Sequence, residues 1–134
     1  MKNNTIKAWS AGFLLIVFFT IISEATVAFN DYIFHRLGFN RNITLILLWL
    51  LPCLASFIAV YYSRSKEIIS TISYLLILPF LGSTVHYIHG YLGGTVDFKG
   101  IAGAIVTFKI YFLIGSISII TGAILAFVIS KTKL

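Results

Sequence analysis

Residues 43–63 form a run of 21 residues without a single charged side chain. No other feature limits the fold as much. In helical form that run covers about 30 Å at 1.5 Å per residue, which is the hydrocarbon thickness of a bilayer. Pro52 lies in its middle, where a lipid-embedded helix accommodates a kink that would be costly in water. Three further runs share this character. Residues 8–23 are uncharged and reach 22 residues if taken from Ala8 through Glu24 to Phe29. Residues 68–85 add 18 residues uncharged at neutral pH, and residues 110–129 add 20 more. The chain therefore reads as an all-α integral membrane protein of one domain, with four transmembrane helices in an up-down bundle over residues 8–29, 43–63, 68–86 and 110–129. Outer loops are expected at 30–42 and 87–109, with a tight turn at 64–67.

Composition supports that reading. Hydrophobic residues make up 59% of the 134 and charged residues 10%, against about 25% charged in soluble domains. A soluble core of this size cannot hide so much apolar surface. A net charge of +6 raises the question of nucleic acid. However, the basic residues sit singly or in pairs at the ends of apolar runs, so they read as topology signals and nucleic acid is excluded as a partner. Cys53 is the one cysteine and lies inside an apolar run, which rules out an internal disulfide and a cysteine-based metal knuckle.

Lysine and arginine also set the expected orientation. If both termini share a side, that side carries Lys2, Lys7, Arg64, Lys66, Lys131 and Lys133, and the opposite side Arg36, Arg41, Lys99 and Lys109. The bias places both termini in the cytoplasm of a cell (inner) membrane. Tyrosines and tryptophans fit interfacial belts, with Trp9, Tyr61 and Tyr62 on the inner side and Tyr32, Tyr87, Tyr91 and Tyr111 on the outer. The first run is expected to be retained as a span. Its basic start and the small-x-small site Ser23-Glu24-Ala25 leave a cleaved signal peptide as the alternative.

Hydrophobicity cannot drive helices together in lipid, so close backbone packing must. Gly115, Ser118, Gly122 and Ala126 make a small-residue row on the fourth span. Gly82 and Ser83, then His86, His89 and Gly90, follow a similar stripe on the third. These two faces are expected to meet within the bundle or to pair with another copy of the chain.

The ionisable residues gather toward one end. Glu24 lies some way into the first span, where an ionised carboxylate costs several kcal/mol unless it is paired, protonated or wetted. Lys109 opens the fourth span at similar depth, so a Glu24–Lys109 pair is the natural expectation. Two alternatives stay open. Glu24 caps a shorter span while Lys109 snorkels to the headgroups, or Glu24 carries protons for transport. Glu24, Asp31 and His35 fall on one helical face if the first helix continues. His86 and His89 are one turn apart, and Asp97 follows.

Mixed imidazole and carboxylate ligands suit Zn²⁺ or a similar divalent ion, making His35, His86 and His89 the metal candidates. Hydrogen bonds from these histidines to loop carbonyls or lipid headgroups are the bland reading, and it is the favoured one. Histidines three apart cannot be both axial ligands of one haem, and no other cofactor is expected. Nucleophile-elbow, P-loop and dinucleotide-binding motifs are missing. The glycines at 90, 93, 94, 100 and 103 read as a flexible or tightly turned loop, with 101–108 either interfacial or an outward extension of the last helix.

Three function classes follow. The first is a non-enzymatic module docking a larger membrane protein or itself. The second is a small homo-oligomeric transporter or channel using Glu24. The third is a metal-dependent or lipid-modifying enzyme using the histidine and carboxylate cluster.

Overall fold

The structure, a computed structural model, describes residues 2–28, 41–63, 66–92 and 98–132. It is all-helical over these, with α1 (Lys2–Ala28), α2 (Arg41–Ser63), α3 (Glu67–Leu92) and α4 (Phe98–Thr132). Three of them are long and apolar enough to cross a membrane, over Asn4–Glu24, Glu67–Leu92 and Ile101–Thr132. In α2 the corresponding apolar stretch is the shorter Leu48–Ser63.

α1 begins at Lys2, ahead of the expected start at residue 8, and the largest differences from the sequence-based boundaries are in the last two helices. α3 continues to Leu92 and α4 starts at Phe98, so most of the expected outer loop at 87–109 is helical. Glycine inside a helix costs about 1 kcal/mol relative to alanine, which is why this stretch reads as loop. Gly103 is kept helical against α3. A Cβ there would approach His86 Nε2 at 3.2 Å, so the bare Cα gives the imidazole room.

Side-chain contacts fix the helix directions pairwise. Trp9 of α1 meets Ser73 and Tyr74 of α3, and Glu24 meets His86 and His89, so α1 and α3 run the same way. Leu78 faces Gly115, Tyr111 faces Gly82 and Phe80 meets Phe108, so α4 runs against α3. Trp49 and Cys53 of α2 face Ser118 and Gly122, so α2 follows α4. Both the start of α1 and the end of α4 therefore lie at one end of the bundle, and Glu24 lies toward the other.

The interior is filled by side chains from every helix, large ones from α1, α3 and α4 and alanines from α2. Ile16, Phe19, Ala55, Ala59, Tyr74, Leu78, Tyr111 and Ile119 form one buried cluster. Within it the Phe19 ring lies 4.9 Å from Trp49 and 5.9 Å from Tyr111, a tilted three-ring junction of α1, α2 and α4. Toward the start of α1, Trp9 donates its indole N–H to Ser73 Oγ at 2.9 Å, and the Tyr74 hydroxyl donates to the Trp9 carbonyl at 2.5 Å.

Small residues let the backbones approach. Gly82 and Gly115 both lie where α3 and α4 meet, each against a large side chain of the other helix, while Ser118 and Gly122 turn to α2. Gly82 receives the Tyr111 ring and Gly115 receives Leu78. Ser118 donates to the Trp49 carbonyl at 2.5 Å, and a methyl at Gly122 would overlap the Cys53 carbonyl. Ala126 is fully buried. Large residues filling small-residue gaps gain more contacts than two small stripes could, and dispersion contacts are what hold such helices together. Gly12, which the sequence reading passed over, is the tightest such place on α1: a methyl there would overlap the Tyr74 hydroxyl and the Ala55 carbonyl. Tyr111, expected in an interfacial belt, is buried instead, 4% exposed.

The outside of the same helices is oily. Ile68 is 74% exposed, Ile117 69% and Leu14 66%, and such side chains continue along every helix. Contiguous apolar surface on this scale marks contact with lipid or with another protein.

Candidate functional site

The register of α1 on α3 builds the site. Trp9 bonds residues 64 and 65 positions further along the chain. Carried up the same pair of parallel helices, that offset brings Glu24 opposite the turn that holds His86 and His89, 62 and 65 positions away. The two imidazoles straddle the carboxylate because they are one turn apart on one face.

Glu24 Oε1 lies 2.9 Å from His86 Nδ1, and Oε2 lies 3.0 Å from His89 Nδ1. Each oxygen thus has its own imidazole. When the carboxylate is ionised it only accepts hydrogen bonds, and each Nδ1 is then the donor of its bond. Charge-assisted bonds of this length are about twice as strong as neutral ones. The carboxylate side chain is 9% exposed, His86 34% and His89 49%. The acid is therefore sheltered by its two bases, and the bases form the rim. With Nδ1 committed, Nε2 of each ring has no hydrogen-bond partner among the described residues. On His86 it packs toward Gly103 of α4. Tyr111 of α4 is buried nearby, its ring against Gly82 of α3 and edge-on to Phe19 of α1.

The expected Glu24–Lys109 pair does not form. The inward face of α4 runs through Gly103, Thr107, Tyr111 and Gly115, whereas Lys109 is exposed. Two residues from Tyr111, it is turned by about 200° from that face. Depth along the helix suggested the pair, and helical angle prevents it. Lys109 instead lines a groove on the outside of α3 and α4.

Of the other candidates, Asp31, His35 and Asp97 lie outside the described residues. Ser83 is half-buried, with its hydroxyl donating to the Phe80 carbonyl, and it lines the groove. Among the described residues no group of three His, Cys, Asp or Glu side chains is arranged to hold a metal ion. The Glu24 oxygens take up both Nδ1 atoms, which makes this cluster a hydrogen-bonded triad.

Sequence reading missed Tyr111, Gly103 and Gly12 as parts of this framework. Tyr111 lies four residues before Gly115, on the row already marked by small residues, and that spacing is the signal that would have placed it inside. Gly12 carries no comparable signal.

No protein-family model, no curated protein and no solved structure matches the chain.

Proposed function

We propose that this chain is a non-enzymatic membrane module. Its four helices span a cell (inner) membrane in an up-down arrangement with both termini in the cytoplasm, and it docks a larger membrane protein. One observation carries the reading: the interior is closed by large buried side chains while the outside of every helix is apolar. A lipid-facing assembly partner explains that surface. A soluble partner does not, because large apolar side chains dominate the exposed face of each helix. The polar groups inside are mostly occupied by their own neighbours: Thr20 bonds the Val17 carbonyl, Ser63 the Val60 carbonyl, and Glu24 the two histidines. The six-to-four bias of basic residues supports the orientation.

The test is a photo-crosslinking residue at Ile117, 69% exposed on α4, in native membranes, with one at buried Ile119 as control. A discrete heavier adduct from position 117 alone is the expected result. Lipid adducts alone from both positions would contradict docking. A fluorescent reporter fused after Leu134 should remain in the cytoplasm.

A second reading has its own observation. One sheltered carboxylate between two imidazoles is a group that can hold and pass a proton, as a homo-oligomeric proton-coupled carrier requires. Proteoliposomes carrying a pH-sensitive dye separate the two. The docking reading predicts no proton flux above empty liposomes. A flux abolished by Glu24→Gln would establish the carrier.

A further inference from the structure

The outer wall between α3 and α4 holds an open groove of about 540 Å³. Its sides are apolar and aromatic: Phe80 and Tyr87 from α3, Ile101 and Phe108 from α4. Phe80 and Phe108 meet edge to face at 5.1 Å and close the groove at the end nearer the chain termini. Lys109 stands on this wall, exposed, and among the described residues no carboxylate pairs with it. Its Cα–Cβ bond tilts toward the start of α4, as every helical side chain does. Lys109 lines the groove together with Tyr87 and Ile101.

An unpaired cation on a lipid-facing wall needs an anion that is itself at home beside hydrocarbon. The chain's own acids do not meet the need from the described residues, because Glu24 is engaged by two histidines and Glu67 opens α3 at the other end of the bundle. A lysine beside an apolar trough attracts the headgroup of an anionic lipid by charge while the trough takes its acyl chain.

We infer that this groove binds one anionic phospholipid, its phosphate at Lys109 and an acyl chain against Phe80 and Phe108. A zwitterionic lipid fills the same apolar trough and also brings a phosphate, but its own choline cation offsets that charge beside the ammonium, so the site discriminates by net headgroup charge. The inference rests on the membrane-spanning part of the proposed function and is independent of docking.

Native mass spectrometry of the detergent-purified full chain tests it. The titrants are phosphatidylglycerol and phosphatidylcholine with identical acyl chains. One phosphatidylglycerol should be retained per chain with about fivefold preference, the size of one lysine's attraction to an anionic lipid surface. Lys109→Met should abolish the preference while neutral-lipid retention stays, and Lys109→Arg should keep it. Lys131→Met, at the end of α4 where the ammonium sits 4.4 Å from the Phe127 ring, should leave the preference unchanged. Glycerophosphate without acyl chains should not compete at equal concentration. Equal retention of both lipids by the native chain, or a preference that survives Lys109→Met, would overturn the site. A dimer that Lys109→Met dissociates, with no lipid preference, would assign the groove to a second copy and overturn it as well. Failure of the chain to enter lipid nanodiscs would instead count against membrane insertion.

Discussion

Glu24 and His86, on helices whose sequences lie 62 positions apart, share a hydrogen bond of 2.9 Å that closes α1 onto α3. With His89 on the second oxygen, one carboxylate satisfies two imidazoles. Glu24→Ala should destabilise the fold by about 1–3 kcal/mol in detergent unfolding titrations. That is below the usual loss for a fully buried pair, because the histidine rims are partly exposed. His86→Ala should cost more than His89→Ala, since His86 is the more buried. A double-mutant cycle of Glu24 with His86 should give a coupling energy, and one of Glu24 with Lys109 should give none.

Close approach at Gly12 and Gly122 makes an equally sharp contrast. An added methyl at either meets a backbone carbonyl, of Ala55 or Cys53, which cannot swing aside. Gly12→Ala and Gly122→Ala should each cost about 1–3 kcal/mol from overpacking. Gly103→Ala meets only the edge of the His86 ring at 3.2 Å. There the gain in helix propensity, about 1 kcal/mol, offsets the crowding and the change should be near neutral.

The Tyr74 hydroxyl donates to the Trp9 carbonyl, which also accepts from its own helix. Tyr74→Phe therefore leaves no orphaned acceptor behind. The loss should be that of one bond, about 0.5–1.5 kcal/mol by the same titration.

Ser56 is fully buried on α2, and its hydroxyl has no hydrogen-bond partner among the described residues. Ser56→Ala should be neutral or stabilise by up to about 1 kcal/mol. A loss larger than that would reveal a partner for the hydroxyl.

The helices were legible because runs without charge are long and their ends are marked by lysine and arginine. Gly103 misled, since a glycine that serves a close contact has the same letter as one that makes a turn. The cluster at Glu24 was legible in its members but not in its pairing. His86 and His89 stood one turn apart in plain view, yet the offset of α1 on α3 is set by Trp9 against Ser73 and Tyr74, a tertiary match that no local pattern encodes. Lys109 was assigned by depth alone. Its angle on α4, readable from the small-residue row, already turned it outward.

The most direct measurement is nitrogen-15 NMR of the histidine side chains in the detergent-solubilised native chain and in Glu24→Gln. With one carboxylate holding both rings, His86 and His89 each carry the proton on Nδ1. In Glu24→Gln a single carbonyl oxygen is left to accept, so at least one ring should change its signature. Neutral rings in the native chain with bare Nδ1 and protonated Nε2, unaltered by the substitution, would contradict the triad on which this account of the bundle rests.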